Sequence, residues 1–296
     1  MRMVVTGREG QVVLSLLKRG EHNDRFEVIS LGRPALDLSA PETIEAALRD
    51  SRPDVIVSAA AYTAVDQAES DEDPAMIVNG VAAGKVAETA AMLGVPVIHL
   101  STDYVFDGSK PSPYVESDPV APIGAYGRSK LAGEQAVAIA TPNHVILRTA
   151  WVYSPFGKNF LKTMLRVAEN RDSLNVVDDQ VGNPTSAFDI ADAVLAIAAN
   201  LLAKDDPALR GTFHMTGTGA ASWADFAVEI FSQSKIWNGP TAEVNRIPAS
   251  AYPTPARRPA NSRLDCSLLA ARHGVKLPDW KQSTAHIVEQ LLDFNH

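Results

Sequence analysis

The chain has 296 residues, a formal charge of -8, 46% apolar residues and a single cysteine. That length suits one large domain, or a nucleotide-binding domain with a smaller lobe, around a substantial core. The acidic balance argues against nucleic-acid binding, and no apolar run approaches the roughly 20 residues that span a bilayer.

Met3-Val4-Val5-Thr6 reads as a first strand running into Gly7-Arg8-Glu9-Gly10, and Gln11 to Arg19 as a helix. A strand that starts at Arg2 leaves no room for a signal peptide, which with one cysteine predicts a cytoplasmic protein. Phe26 to Leu31 is a second strand, followed by a loop through Asp37-Leu38 and a helix over 42–50 with Pro41 in its first turn. Asp54 to Ser58, Val95 to Ser101 and Val145 to Thr149 are further strands, and Asp73 to Leu93 is one long helix. Short apolar strands alternating with helices predict a doubly wound α/β fold, Rossmann-like, with a parallel sheet covered on both faces. Its ligand belongs beyond the carboxyl ends of the strands.

After Trp151 the alternation loosens. Helices are predicted over 160–170, 187–202 and 223–232, strands over 174–177 and 211–215, and a proline-rich loop over 248–259. Residues 1–150 are therefore the dinucleotide-binding domain. Residues 151–296 form mainly a smaller substrate lobe, with some segments returning to the sheet. Cys266 reads as a small buried or surface thiol rather than a nucleophile.

Tyr126 and Lys130 lie four apart in Y-G-R-S-K, a spacing that puts both on one helix face. A phenol near pKa ~10 exchanges protons poorly at neutral pH, and a neighbouring ammonium lowers that value. The spacing alone is weak evidence, and its weight comes from its surroundings. Gly7-x-x-Gly10 between strand and helix is placed to cradle a pyrophosphate, although Val13 stands where a third glycine is usual; a plain tight turn reads equally well. The second strand ends in Ile29-Ser30-Leu31-Gly32-Arg33, with no carboxylate for a ribose 2′-hydroxyl and an arginine close by. NADPH is the expected cofactor, with NADH as the alternative, and a solvated loop position is the plainer reading of Arg33. Small residues at 59–61 let a cofactor approach the backbone. Thr102 closes the fourth strand, where its hydroxyl can bond a reacting carbonyl; taken alone, it would merely cap its own backbone. Buried His99 reads as a satisfied core residue. Trp151 and Tyr153 are core or pocket aromatics. No cluster has metal-ligand spacing.

Together these stretches resemble a family. They are Gly7-x-x-Gly10-Gln11, the run from Ala59 to Asp66, S-T-D-Y-V-F-D-G from Ser101, and Y-G-R-S-K-L-A-G-E from Tyr126. R-T-A-W-V-Y from Arg148, Asp179-Gln180-x-Gly182-x-Pro184-Thr185 and Arg258-Pro259-x-x-Ser262 complete the set. The pattern is similar to the dTDP-4-dehydrorhamnose reductases, extended short-chain dehydrogenases/reductases, over nearly the whole chain. The resemblance implies NADPH- or NADH-dependent reduction of a dTDP-4-keto sugar. Tyr126 would be the proton donor and Thr102 its tuning partner, while Lys130 would hold the nicotinamide ribose and depress the Tyr126 pKa. Thr102, Asp103 and Trp151 would touch the sugar. Gly10, Gln11, Val12, Asp37, Leu38, Ala61, Tyr62 and Thr63 would contact the dinucleotide along with Gly7 and Arg33. Arg258 is the candidate counter-charge to the substrate diphosphate. Some members dimerise through a metal held by acidic residues; Ser15 and Phe188 occupy those places here, so a monomer or weak homodimer without metal is expected. Two alternatives stand beside this reading. One is a nucleotide-sugar epimerase or dehydratase. The other is a non-enzymatic relative, acting like the regulatory subunit of methionine adenosyltransferase.

Overall fold

A computed structural model describes residues 1–293. The first strand, β1 (Arg2–Thr6), leads through the glycine turn into α1 (Gln11–Gly20), and β2 (Glu27–Leu31) follows. Next come α2 (Ile44–Ser51), entered through a single 3-10 turn at Pro41–Thr43, and β3 (Val55–Ser58). The helix α3 then runs over 72–93, and β4 (Val97–Thr102), α4 (Ala125–Ala140) and β5 (His144–Thr149) complete the first half.

The sheet is built because β1, β3, β4 and β5 each centre on an apolar stretch and are buried along nearly their whole length, so they need cover on both faces. On one face lie α1 and the later helix α6, with Val13, Leu16, Ile190, Val194 and Ile197 packed on Val5, Val57 and Leu147. On the other face α2, α3 and α4 pack Leu48, Val86, Ala90 and Val137 on Val4, Ile56 and Ile146.

After β5 come α5 (Phe160–Ala168), β6 (Ser173–Val177), α6 (Ala187–Ala203), β7 (Gly211–His214) and α7 (Trp223–Ile236). The chain then passes through β8 (Glu243–Ile247), α8 (Ser267–His273) and α9 (Trp280–Asp293). The main sheet has six parallel strands in the order β7-β5-β4-β3-β1-β2. Both α6 and β7 lie after residue 150 yet belong to this sheet and its core. A second core joins Tyr153, Leu161, Leu165, Phe226, Ile230, Trp280 and Ile287 above the strand ends.

The strand order reverses between β1 and β3, where ligands of such sheets sit. Thr6 fixes that crevice: its hydroxyl accepts the backbone N–H groups of Ala59 (3.1 Å) and Ala60 (3.2 Å).

The helix expected over 73–93 is continuous but not uniform, because Ile77–Val81 forms a π-helical segment. Asn79 sits there, 1% exposed, accepting from Tyr62 N at 2.8 Å and donating to Tyr62 O and the Ser129 hydroxyl. No described helix is long and apolar enough to cross a membrane.

Candidate active site

Helix α4 carries Tyr126 and Lys130 on one face because they lie four residues apart, and a neighbour fixes where that face starts: Ala125 N donates to Glu69 at 2.8 Å. Gly127 lets the helix press on the turn after β4; a Cβ there would stand 2.3 Å from the Tyr104 carbonyl oxygen. The Tyr104 ring in turn meets Tyr126 edge-on, centroids 5.6 Å apart.

Thr102 ends β4, donating to Asp103 Oδ1 at 3.0 Å and accepting from Tyr104 N at 3.2 Å. Asp103 is 2% exposed and its Oδ2 has no hydrogen-bond partner. Burial pushes the Asp103 carboxyl up to about 6, opposed by the Ser262 and Thr102 hydroxyls and by backbone N–H groups. Burial and the Asp103 charge push the Tyr126 phenol up to about 12, with a hydrogen bond from Thr102 acting the other way.

Lys130 is 3% exposed, and its Nζ donates to the Leu100 carbonyl at 2.6 Å. Burial brings its ammonium down to about 8, against the pull of Glu134. The expectation that Lys130 lowers the Tyr126 pKa is therefore corrected. The ammonium is directed at the strand end, and burial of the phenol dominates. One turn on, Glu134 grips Arg148 through bonds of 2.9 and 2.7 Å and accepts from Ser101 at 2.5 Å. This buried network escaped sequence reading, although its members sit inside the quoted motifs.

The cofactor-side residues line a cleft of about 490 Å³ formed by Gly7, Arg8, Gly32, Arg33, Asp37, Leu38, Ala61 and Tyr62, among others. Gly7, at φ +105°, makes the turn that opens it. The cleft's lining does not include Gly10, Gln11, Val12 or Thr63. The Gln11 side chain is spent on the lobe, accepting from Ser154 (2.8 Å) and Asn159 (2.9 Å), and Val12 packs on the main core. Arg8 was missed by sequence reading.

On the lobe side, Trp151 adopts φ +48° and stacks on Trp223 with centroids 3.5 Å apart and planes 5° apart. Trp223, Phe160, Gln180, Tyr252 and Arg258 line a cavity of about 320 Å³. Thr102, Asp103 and Tyr126 lie outside its lining, and Trp151 reaches it only through Trp223. Arg258 pairs with Asp66 at 3.0 Å while its buried Nε lacks a partner. A larger cavity of about 550 Å³, beside Cys266, holds none of the candidate site residues. Burial raises the Cys266 thiol, which Thr216 N contacts at 3.3 Å. His99 is buried, with Nδ1 on Ser58 at 3.1 Å and Nε2 unpartnered, so it is only half satisfied; desolvation holds it well below the usual imidazole range. Among the described residues no three His, Cys, Asp or Glu side chains gather as a metal site. Ser15 is buried, and Phe188 lies under the Arg19 guanidinium at 4.6 Å.

The family model described as RmlD substrate binding domain matches residues 1–293. The dTDP-4-dehydrorhamnose reductase of Sinorhizobium fredii is 54% identical over 292 residues, covering 99% of this chain and 98% of that protein. The crystal structure of a dTDP-4-dehydrorhamnose reductase from Clostridium acetobutylicum superposes with a TM-score of 0.91 at 36% identity, covering 98% of this chain and 99% of that one. The Bacillus anthracis dTDP-4-dehydrorhamnose reductase in complex with NADP superposes at 0.90 with 32% identity and the same coverage. Motif order, fold and these likenesses agree, and the chain belongs to the dTDP-4-dehydrorhamnose reductase family of extended short-chain dehydrogenases/reductases.

Proposed function

We propose that this chain reduces the C4 keto group of dTDP-4-dehydro-L-rhamnose to give dTDP-L-rhamnose, using NADPH, with NADH as the alternative donor. The observation that carries the reading is Tyr126, held protonated beside Thr102 and Asp103 on the helix face that carries Lys130. The reductase reading is preferred to an epimerase, a dehydratase or a binding subunit because the family match spans the chain and all three catalytic candidates are present.

The cleft between β1 and β3 fits a dinucleotide: small residues at Gly7, Ala60 and Ala61 leave its floor open, and Arg33 stands at its rim. Gly7, Arg33, Asp37, Leu38, Ala61 and Tyr62 would hold it from the cleft lining, with Lys130 and Tyr126 at the nicotinamide end; Gly10, Gln11, Val12 and Thr63, outside that lining, would contribute through their backbone. When bound, the reduced nicotinamide supplies the hydride to C4.

Tyr126, with a pKa of about 12, keeps its proton at neutral pH. It is thus poised as an acid, and an alkoxide developing at C4 is basic enough to take that proton. Thr102 orients the carbonyl oxygen towards the phenol. Asp103 Oδ2, buried and unpartnered, accepts a sugar hydroxyl. Trp151 forms the sugar's wall and Arg258 offsets the diphosphate charge. Residues 1–150 serve mainly the dinucleotide and 151–296 mainly the substrate. Ser15 and Phe188 offer no carboxylate, which supports a monomer or weak homodimer, and a cytoplasmic location accords with a water-soluble nucleotide-sugar substrate.

The test is product identification. Purified chain, NADPH and dTDP-4-dehydro-L-rhamnose generated in situ are expected to yield dTDP-L-rhamnose by NMR. A C4 epimer of that product, or no NADPH oxidation, would overturn the reading.

A further inference from the structure

Trp151 follows β5 with its backbone at φ +48°, a left-handed conformation that a bulky residue adopts only where its surroundings impose it. Its ring is held as tightly. The indole lies face to face on Trp223, centroids 3.5 Å and planes 5° apart, although aromatic pairs prefer offset or edge-on arrangements. The backbone of Gly182 confines it further: a Cβ there would lie 2.5 Å from Trp151 Cε2 and 2.7 Å from Nε1.

Trp223 is itself firmly placed. It opens α7, whose start is a reciprocal cap: Ser222 Oγ accepts from Asp225 N at 3.0 Å, and Ser222 N donates to Asp225 Oδ2 at 3.1 Å. Ser222 Oγ also donates to Asp178 Oδ1 at 2.7 Å. Ala221 and Ser222 pair antiparallel with Gly182 and Val181, so one backbone ladder joins the ring and the glycine that confine Trp151. Phe160 packs on Trp223 as well, centroids 4.7 Å apart.

We propose that Trp223 is a positioning residue for the reduction: it holds the Trp151 indole at the angle from which Trp151 walls the sugar and presents C4 to Tyr126. This rests on the reading of Trp151 given above. Without the facing ring, the left-handed backbone at Trp151 loses a contact that offsets it, and the indole is free to turn. A displacement of about 1 Å in a reacting geometry costs up to about 100-fold in rate.

The test is a double-mutant cycle in kcat, with NADPH and dTDP-4-dehydro-L-rhamnose as substrates. Trp223→Leu is expected to lower kcat about tenfold or more with NADPH affinity unchanged. Trp223→Phe, which keeps a ring to stack on, should retain most of the wild-type rate. In a Trp151→Ala background, Trp223→Leu should change kcat by less than about twofold, because the residue it acts through is gone. Gly182→Ala displaces the same indole with its new Cβ and should lower kcat as Trp223→Leu does, which keeps the test decisive if that variant does not fold. In circular dichroism, wild type should show the exciton couplet of two stacked indoles and retain it when dTDP-L-rhamnose binds. An equal loss of kcat in both backgrounds, a raised KM with kcat unchanged, or a couplet absent or lost on binding overturns the positioning role and leaves Trp151 as the sugar's wall. Wild-type kinetics in Trp151→Ala overturn the reading of Trp151 together with the proposal. A wild type without turnover overturns the reductase reading and the proposal with it.

Discussion

Lys130 donates its buried ammonium to the carbonyl of Leu100 at 2.6 Å, so the helix that carries the proton donor is tied to the carboxyl end of the β4 strand by a charge. A lysine held this way costs stability while it stays charged. The cost is fully present below about pH 8. It is relieved as pH rises towards about 10.5, because the folded chain releases this proton before the unfolded one. Across that window wild type should gain up to about 3 kcal/mol relative to Lys130→Met in urea unfolding. Activity of Lys130→Met should fall by about 100-fold or more at any pH. A stability difference that stays flat from pH 7.5 to pH 10 would contradict the buried ammonium.

Asp103 has the opposite charge and the opposite sign. Its raised carboxyl is protonated in both folded and unfolded chains well below pH 4 and costs nothing there; stability is lost as pH rises from about 4, where the unfolded chain ionises, to about 6, where the folded one does, and the cost is fully present above that. Asp103→Asn is therefore expected to be more stable than wild type at pH 7, by up to about 3 kcal/mol, and equal to it near pH 3.5. Reductase activity of wild type should rise through about pH 6 as the carboxylate forms. That inflection should be missing in Asp103→Asn, and its persistence would assign it to another group.

Glu134 and Arg148 are 5% and 6% exposed at their side chains, so breaking the pair strands a charge in the core. Glu134→Gln should destabilise by roughly 3–5 kcal/mol in chemical unfolding, and Glu134→Leu combined with Arg148→Met should recover part of that loss. An effect below 1 kcal/mol for the single change would mean that water reaches the pair.

Arg258 is expected to act on binding rather than on chemistry. Arg258→Leu should raise KM for the dTDP-sugar about tenfold or more with kcat changed little. Asp66→Asn breaks the same half-exposed ion pair from the other side and should cost less than 1 kcal/mol of stability with a smaller KM change. Equal KM effects from the two substitutions would reduce Arg258 to a structural role.

The sheet was legible because each inner strand centres on a short apolar stretch, and the pair Tyr126 and Lys130 because helical spacing alone places them together. What escaped depends on tertiary contact. β8 carries Glu243, Asn245 and Arg246 and is largely exposed, so it lacks the apolar signal of a strand; it exists because it pairs with β6. α8 and α9 were not anticipated either, although Ile287 and Val288 are fully buried on the lobe. The π segment at Ile77–Val81 holds Asn79 on Tyr62 and Ser129, partners 17 and 50 residues away. Trp223 meets Trp151 across a longer separation still, beyond the reach of any local pattern. The Tyr126 pKa was misjudged for a related reason: spacing placed Lys130 nearby but could not say where its ammonium pointed or how deeply the phenol was buried.

The most direct measurement compares wild type with Tyr126→Phe in NADPH oxidation driven by dTDP-4-dehydro-L-rhamnose, with cofactor affinity read separately by fluorescence titration. Removing the phenolic proton should lower kcat by roughly 100- to 10,000-fold while NADPH affinity changes little. A Tyr126→Phe enzyme that keeps a tenth or more of wild-type kcat would show that the proton reaching the C4 oxygen comes from elsewhere.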